Sequence, residues 1–163
     1  MDSLTTSAEV KLPISDAFDL FINKITLWWP SEYTWSKDAL VELTVDPIPN
    51  GLCSEIGPNG FRCDWGTVME ITNNRRFSFK WQITASRVPE PNPDKASEVY
   101  VLFSEIGSTG TQVQLAHKKF GNHGEGYERY RDAMASASGW PYLLSSFARY
   151  AEEQWNVGTG PIR

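Results

Sequence analysis

The stretch Arg76-Phe77-Ser78-Phe79-Lys80-Trp81-Gln82-Ile83 decides how the rest of this chain is read. Phe77, Phe79, Trp81 and Ile83 alternate strictly with Ser78, Lys80 and Gln82. A period of two puts the aromatic set on one face of a strand and the polar set on the other, which describes a half-buried strand. The turn signal Asn73-Asn74 precedes it, and before that Arg62 to Thr72 reads as another strand.

Working outward, Leu52 to Ile56 pairs with Arg62 onward through Gly57-Pro58-Asn59-Gly60, a turn with Pro second, Asn third and Gly fourth. With a Gly bulge there, Gly57 pairs with Phe61 and Cys53 faces Trp65. Cys53 and Cys63 then lie diagonally on one face, too far apart for a relaxed disulfide, and are expected to be reduced structural thiols. Leu40 to Val45, Glu98 to Ile106 and Thr111 to Lys118 are further strands. Gly107 to Gly110 is a turn, and Arg87 to Ser97, with Pro89, Pro91 and Pro93, is a loop. Strands joined in sequence by short turns form an antiparallel meander.

Thr5 to Leu12 is a first strand closed by Pro13. Ser15 is placed as the N-cap of a helix carrying Ala17, Phe18, Phe21, Ile22 and Ile25 at helical spacing. Pro30 stops it, and a second short helix is expected among Trp28, Trp29 and Trp35. Near the C-terminus Tyr127, Tyr130, Arg131 and Met134 share a stripe, Gly139 and Pro141 interrupt it, and a new helix runs from about Ser138. Trp140, Leu143, Leu144, Phe147, Tyr150 and Ala151 form its apolar face. A sheet with one apolar face needs a cover, and this last helix is the only long candidate. The expected fold is α+β, with a curved antiparallel sheet wrapped around the C-terminal helix. It is a single domain over 1–163, ordered over 3–157, with 158–163 a loose tail.

Composition narrows the partners. The 163 residues carry a net charge of -5 and 13% aromatics, including seven Trp. No basic cluster suits a nucleic acid or an anionic membrane. There is no secretory signal and no window near the ~18 apolar residues of a membrane span, so the cytoplasm is the expected compartment. Two His and two Cys at unrelated spacings indicate no metal, and no phosphate loop or Gly-x-Ser-x-Gly nucleophile occurs; no cofactor is expected.

Trp65-Gly66-Thr67-Val68-Met69-Glu70 followed by Arg75-Arg76-Phe77-Ser78-Phe79-Lys80-Trp81 resembles the G-x-V-x-E … R-x-x-F-x-W signature of AHSA-like proteins. These are homologues of the C-terminal domain of the activator of the heat-shock protein 90 ATPase, in the START-like (SRPBCC, birch-pollen-allergen-like) superfamily. Ala17-Phe18, Trp28-Trp29-Pro30, Gly110-Thr111 and Gly139-Trp140 agree in order and spacing. The resemblance implies a helix-grip fold around a hydrophobic cavity. It implies no single reaction, because the superfamily holds carriers, receptors, cyclases, self-sacrificing resistance proteins and co-chaperone domains.

On this reading the chain binds a small hydrophobic molecule, aromatic or lipid-like. The expected lining is Trp28, Trp29, Trp65, Phe79, Trp81, Val101, Phe103, Leu115, His117, Tyr130, Met134, Trp140 and Leu144. Trp81→Ala is expected to weaken binding with less effect on folding. For each of these residues the plainer alternative is core packing. His117, on the inward parity of the last strand, and Glu70, among apolar neighbours, are the candidate acid/base groups. The plainer alternatives are a core histidine satisfied by the backbone and an ion pair of Glu70 with Arg76, Arg131 or Lys80. An enzyme of the polyketide cyclase or hydrolase type is the first alternative function, and a chaperone-cofactor module the second. A chaperone partner is disfavoured because the eukaryotic co-chaperone has a further N-terminal domain; a homodimer stays open.

Overall fold

The aromatic strand is the centre of the sheet. In a computed structural model describing residues 2–157, with side chains described to residue 154, seven strands pair antiparallel in the order β1-β7-β6-β5-β4-β3-β2. Their ranges are β1 Leu4–Val10, β2 Glu42–Val45, β3 Leu52–Ile56, β4 Arg62–Thr72, β5 Arg76–Trp81, β6 Ser97–Ile106 and β7 Gly110–Lys118. β2 to β7 form the expected meander, and β1 adds to its far edge by pairing Leu4 with His117 through Val10 with Thr111. The expected tail, 158–163, lies outside the described residues.

Helices α1 (Ile14–Ile22) and α2 (Ile25–Trp28) follow β1, with α3 (Tyr127–Ala135) and α4 (Trp140–Val157) after the sheet. Ser15 is not the N-cap. Pro13 occupies that position without a side-chain bond, because its fixed φ of -57° suits the entry and its carbonyl accepts from Ala17 N–H at 2.9 Å. The second short helix expected among Trp28, Trp29 and Trp35 is α2, which ends at Trp28. Two single 3-10 turns, Ser31–Tyr33 and Lys37–Ala39, follow it on either side of Trp35.

Leu143, Leu144, Phe147 and Ala151 of α4 are buried against the sheet's inner face with Phe77, Phe79, Trp81, Val101, Phe103 and Leu115. The early helices fill the middle of this grip. Phe21 meets Phe103 at 5.6 Å and Phe147 at 5.1 Å between ring centroids, and Trp28 meets Phe147 at 5.2 Å. Edge-on aromatic contacts at these spacings are those of a packed interior.

Two bulges in β4 change which side chains face in. Ser54 pairs with Asp64 but Cys53 with Gly66, so Trp65 is the extra residue; Cys53 does not face Trp65 as expected. Gly57 does close on Phe61, donating its N–H across 2.8 Å, with Asn59 and Gly60 at φ 57° and 81°. Cys53 and Cys63 are free and buried. Further along, Val68 pairs with Phe79 but Glu70 with Ser78, leaving Met69 unpaired. An extra residue reverses the alternation beyond it. Glu70 therefore faces outward, though it is two residues from the inward Val68.

Candidate functional site

The packed middle of the grip leaves its open volume at one end. A cavity of about 490 Å³ sits where β5 runs out toward the ends of α2, α3 and the start of α4. Trp29, Trp81, Ile83, Met134 and Leu143 supply apolar wall, while Glu32, Thr34, Lys37, Arg87 and Ser138 supply polar rim.

Hydrogen bonds tie the rim together across long sequence distances. Trp35 Nε1–H donates to the Arg87 carbonyl at 2.9 Å, and Tyr33 Oη–H to the Ser138 carbonyl at 2.8 Å. Tyr142 Oη–H donates to Glu32 Oε2 at 2.9 Å. The Trp35 strap is itself held from below. Glu55, 1% exposed, accepts the backbone N–H of Trp35 at 3.1 Å and of Ser36 at 2.7 Å.

Behind the wall lies a layer of aromatic and polar groups. Trp29 and Trp81 neighbour each other and both Trp65 and Trp140, with Trp81–Trp140 at 5.4 Å and Trp29–Trp65 at 5.9 Å. Trp81 donates its indole N–H to Tyr130 Oη at 2.7 Å, and that hydroxyl donates to the Ile83 carbonyl at 2.7 Å. Burial pushes the Tyr130 hydroxyl pKa up despite the Trp81 bond and the Arg87 guanidinium 5.3 Å above its ring.

His117 is fully buried. Its Nδ1 lies 2.9 Å from Trp140 Nε1 and its Nε2 2.7 Å from Ser97 Oγ, which lies 2.7 Å from Nε2 of half-buried His123. Burial, and then the charge of His123, hold the His117 imidazole well below its ordinary pKa. Burial lowers that of His123 as well, against the opposing pull of Glu90.

The family profile described as "Activator of Hsp90 ATPase homolog 1-like protein" matches residues 11–152. The chain belongs to this family. No curated protein matches this AHSA1-like chain. Among solved structures it is similar to the anthrahydroquino-γ-pyrone synthase Txn09, at 28% identity and TM-score 0.67 over 92% of this chain and 97% of that one. It also resembles CalC, a self-sacrificing resistance protein from Micromonospora echinospora, at 22% identity and TM-score 0.64 over 99% and 97%. Protein NE0264 from Nitrosomonas europaea aligns at 13% identity and TM-score 0.63 over 93% and 95%. The last two likenesses concern the fold alone.

In this AHSA1-like protein the expected lining residues separate into three groups. Trp29, Trp81 and Met134 border the cavity. Trp65, His117, Tyr130 and Trp140 form the layer touching that wall. Trp28, Phe79, Val101, Phe103, Leu115 and Leu144 are buried in the core and do not border it. His117 and Glu70 are not brought together. Glu70 borders a separate groove of about 670 Å³ on the outer face with Arg76, Ser78, Tyr100 and Gln114. Among the described residues it makes no ion pair; Lys80 pairs instead with Glu98 at 3.0 Å and Arg131 with Asp132 at 3.1 Å.

Sequence reasoning missed Glu32, Tyr33, Arg87 and Leu143 at the cavity. The first three lie in turns without periodicity, and Leu143 read as ordinary helix face. It also missed Glu55, although an acid between Cys53 and Ile56 of a strand is an available signal. No helix among the described residues is long and apolar enough to cross a membrane.

Proposed function

We propose that this protein binds a small, flat, hydrophobic molecule in the end cavity between the sheet and the C-terminal helices. The observation that carries this reading is the cavity itself, about 490 Å³ with two indole-bearing walls and a polar rim. Small-molecule sites have this size and this mixture of apolar lining with few polar groups. A ring system burying about as much apolar surface as a Trp side chain, roughly 200 Å², gains about 5 kcal/mol before ordering costs. Rim donors and acceptors must supply the remainder of a tight affinity, and with it the selectivity.

Ala133 borders the cavity and is exposed, so its substitution need not disturb the core. Ala133→Trp should fill the mouth, weaken binding of aromatic probes at least tenfold by indole-fluorescence quenching, and leave Tm unchanged. Unaltered binding in that variant would place the ligand elsewhere. Native mass spectrometry of freshly purified protein would identify a retained compound class.

A second reading, an enzyme of the polyketide cyclase type, draws on the similarity to Txn09, which its name describes as a synthase. The titratable groups at the cavity rim, Glu32, Lys37 and Tyr33, are better placed to meet a bound substrate than His117, both of whose ring nitrogens already have partners. Turnover that survives His117→Gln but is lost in Glu32→Gln would favour this reading.

A further inference from the structure

An indole N–H in a protein interior normally finds an acceptor, and this chain mostly obeys that rule. Trp28 donates to the Phe21 carbonyl at 3.3 Å, Trp35 to that of Arg87 at 2.9 Å, Trp81 to Tyr130 at 2.7 Å and Trp140 to His117 at 2.9 Å. Trp65 is different. It is 4% exposed, and its Nε1–H is buried with no hydrogen-bond partner. An unmade buried N–H destabilises the fold, so a residue kept in that state calls for an explanation.

Trp65 packs against two walls of the end cavity. Its ring lies 5.9 Å from that of Trp29 at an interplanar angle of 31°, and 6.0 Å from that of Trp81 at 68°. Trp81 is pinned by its bond to Tyr130, whereas Trp29 is only half-buried and its indole N–H makes no hydrogen bond among the described residues. Trp29, which borders the cavity, packs directly on the ring that carries the unused donor.

We infer that the inner end of the cavity is a carbonyl-recognising subsite, in which a flat ligand tilts Trp29 aside and sets a ring-ketone oxygen on Trp65 Nε1–H. The inference rests on the ligand-binding reading of the same cavity. The chemistry of the lining selects the group. Indole donates and cannot accept, so the N–H of an amine finds no hydrogen-bond acceptor there. A hydroxyl would bring a proton with no acceptor among the neighbouring rings of Trp29, Phe79 and Trp81. A carboxylate would be buried without a counter-charge. A carbonyl oxygen needs only the donor that is present.

Fluorene and 9-fluorenone test this, because they share one flat three-ring skeleton and differ by the carbonyl. The wild-type protein should bind 9-fluorenone about tenfold tighter than fluorene. Trp65→Phe should bring the two affinities within about twofold of each other while leaving that for fluorene nearly unchanged. A preference that persists in Trp65→Phe would overturn the inference. It would leave the N–H directed at the Phe79 ring, 5.9 Å away at 85°, as a weak N–H···π contact. Binding of neither probe to the wild type would instead overturn the ligand-binding reading on which it rests. If Trp65→Phe does not fold, ¹⁵N-indole spectra of the wild type decide. A downfield shift of the Trp65 N–H with 9-fluorenone but not with fluorene supports the subsite, and identical shifts with both refute it.

Discussion

Trp140 donates its indole N–H to Nδ1 of His117 across 2.9 Å, and that bond sets the tautomer of a fully buried imidazole. Indole only donates, so Nδ1 is bare and the ring proton is on Nε2. Nε2–H then donates to Ser97 Oγ at 2.7 Å, and the Ser97 hydroxyl donates to Nε2 of His123 at 2.7 Å. Four residues from β6, β7, the loop after β7 and α4 thus form a one-way chain from the core to a half-buried ring. Protonating His117 would put two N–H donors, the indole's and its own, on one line.

This chain has a pH signature. The folded-state pKa of His117 is held well below its ordinary value, chiefly by burial, and that of His123 is lowered too. The unfolded chain then binds more protons than the folded one between the folded pKa and the unfolded value of about 6.5. Stability is full above about pH 6.5 and is lost as pH falls from there toward the folded pKa, at up to ~1.4 kcal/mol per pH unit for each histidine. Thermal melts at pH 7.5 and 5.5 should show this fall, and His117→Gln should reduce it. An equal pH dependence in that variant would contradict the assignment.

Trp81 is the hub of the aromatic layer. It is 2% exposed and touches Trp29, Trp65, Phe79, His117 and Trp140. Trp81→Ala, expected from the sequence to weaken binding with less effect on folding, removes a ring from this packing. The substitution should cost about 3–5 kcal/mol of stability, the range for a large aromatic lost from a core. Trp81→Phe keeps most of the packing but leaves Tyr130 without its donor, and should cost about 1–2 kcal/mol by urea denaturation.

Glu55 positions the cavity strap from beneath. Glu55→Ala leaves the Trp35 and Ser36 N–H groups without their acceptor and should cost about 2–3 kcal/mol. Glu55→Gln retains one acceptor oxygen and should cost less than half as much. Aromatic probe affinity should fall in Glu55→Ala, because Trp35 closes the rim through the Arg87 carbonyl. Unchanged affinity and stability would show that the strap is held by other contacts.

Burial raises the Cys53 thiol to about 12. The Cys63 thiol rises to about 11 through burial and then the neighbouring Glu55 and Asp64 charges. Thiolate is the reactive form, so neither cysteine should react with a thiol reagent in the native state at pH 8. Both should react after unfolding in urea. Fast native labelling of either one would indicate local opening of β3 or β4.

The outlines of this protein were legible from local patterns. Alternation at Phe77, Phe79 and Trp81 marked the central strand and its inward face. The break at Gly139 and Pro141 separated the last two helices, which end at Ala135 and resume at Trp140. The run from Trp65 to Trp81 carried the family resemblance. The site was less legible, because parity assumes an uninterrupted ladder. One extra residue at Met69 turned Glu70 out, and another at Trp65 set Cys53 opposite Gly66.

By itself, then, the order of residues determined the strands, the helices and the apolar face each presents, since these depend on neighbours a few positions away. Tertiary structure alone decided where open volume remains. Phe21 and Trp28 from the early helices meet Phe147 from the last one and plug the centre of the grip, which leaves the cavity at the end beside Trp29 and Trp81. Filling a volume depends on side chains brought together from distant parts of the chain, and no local period records it.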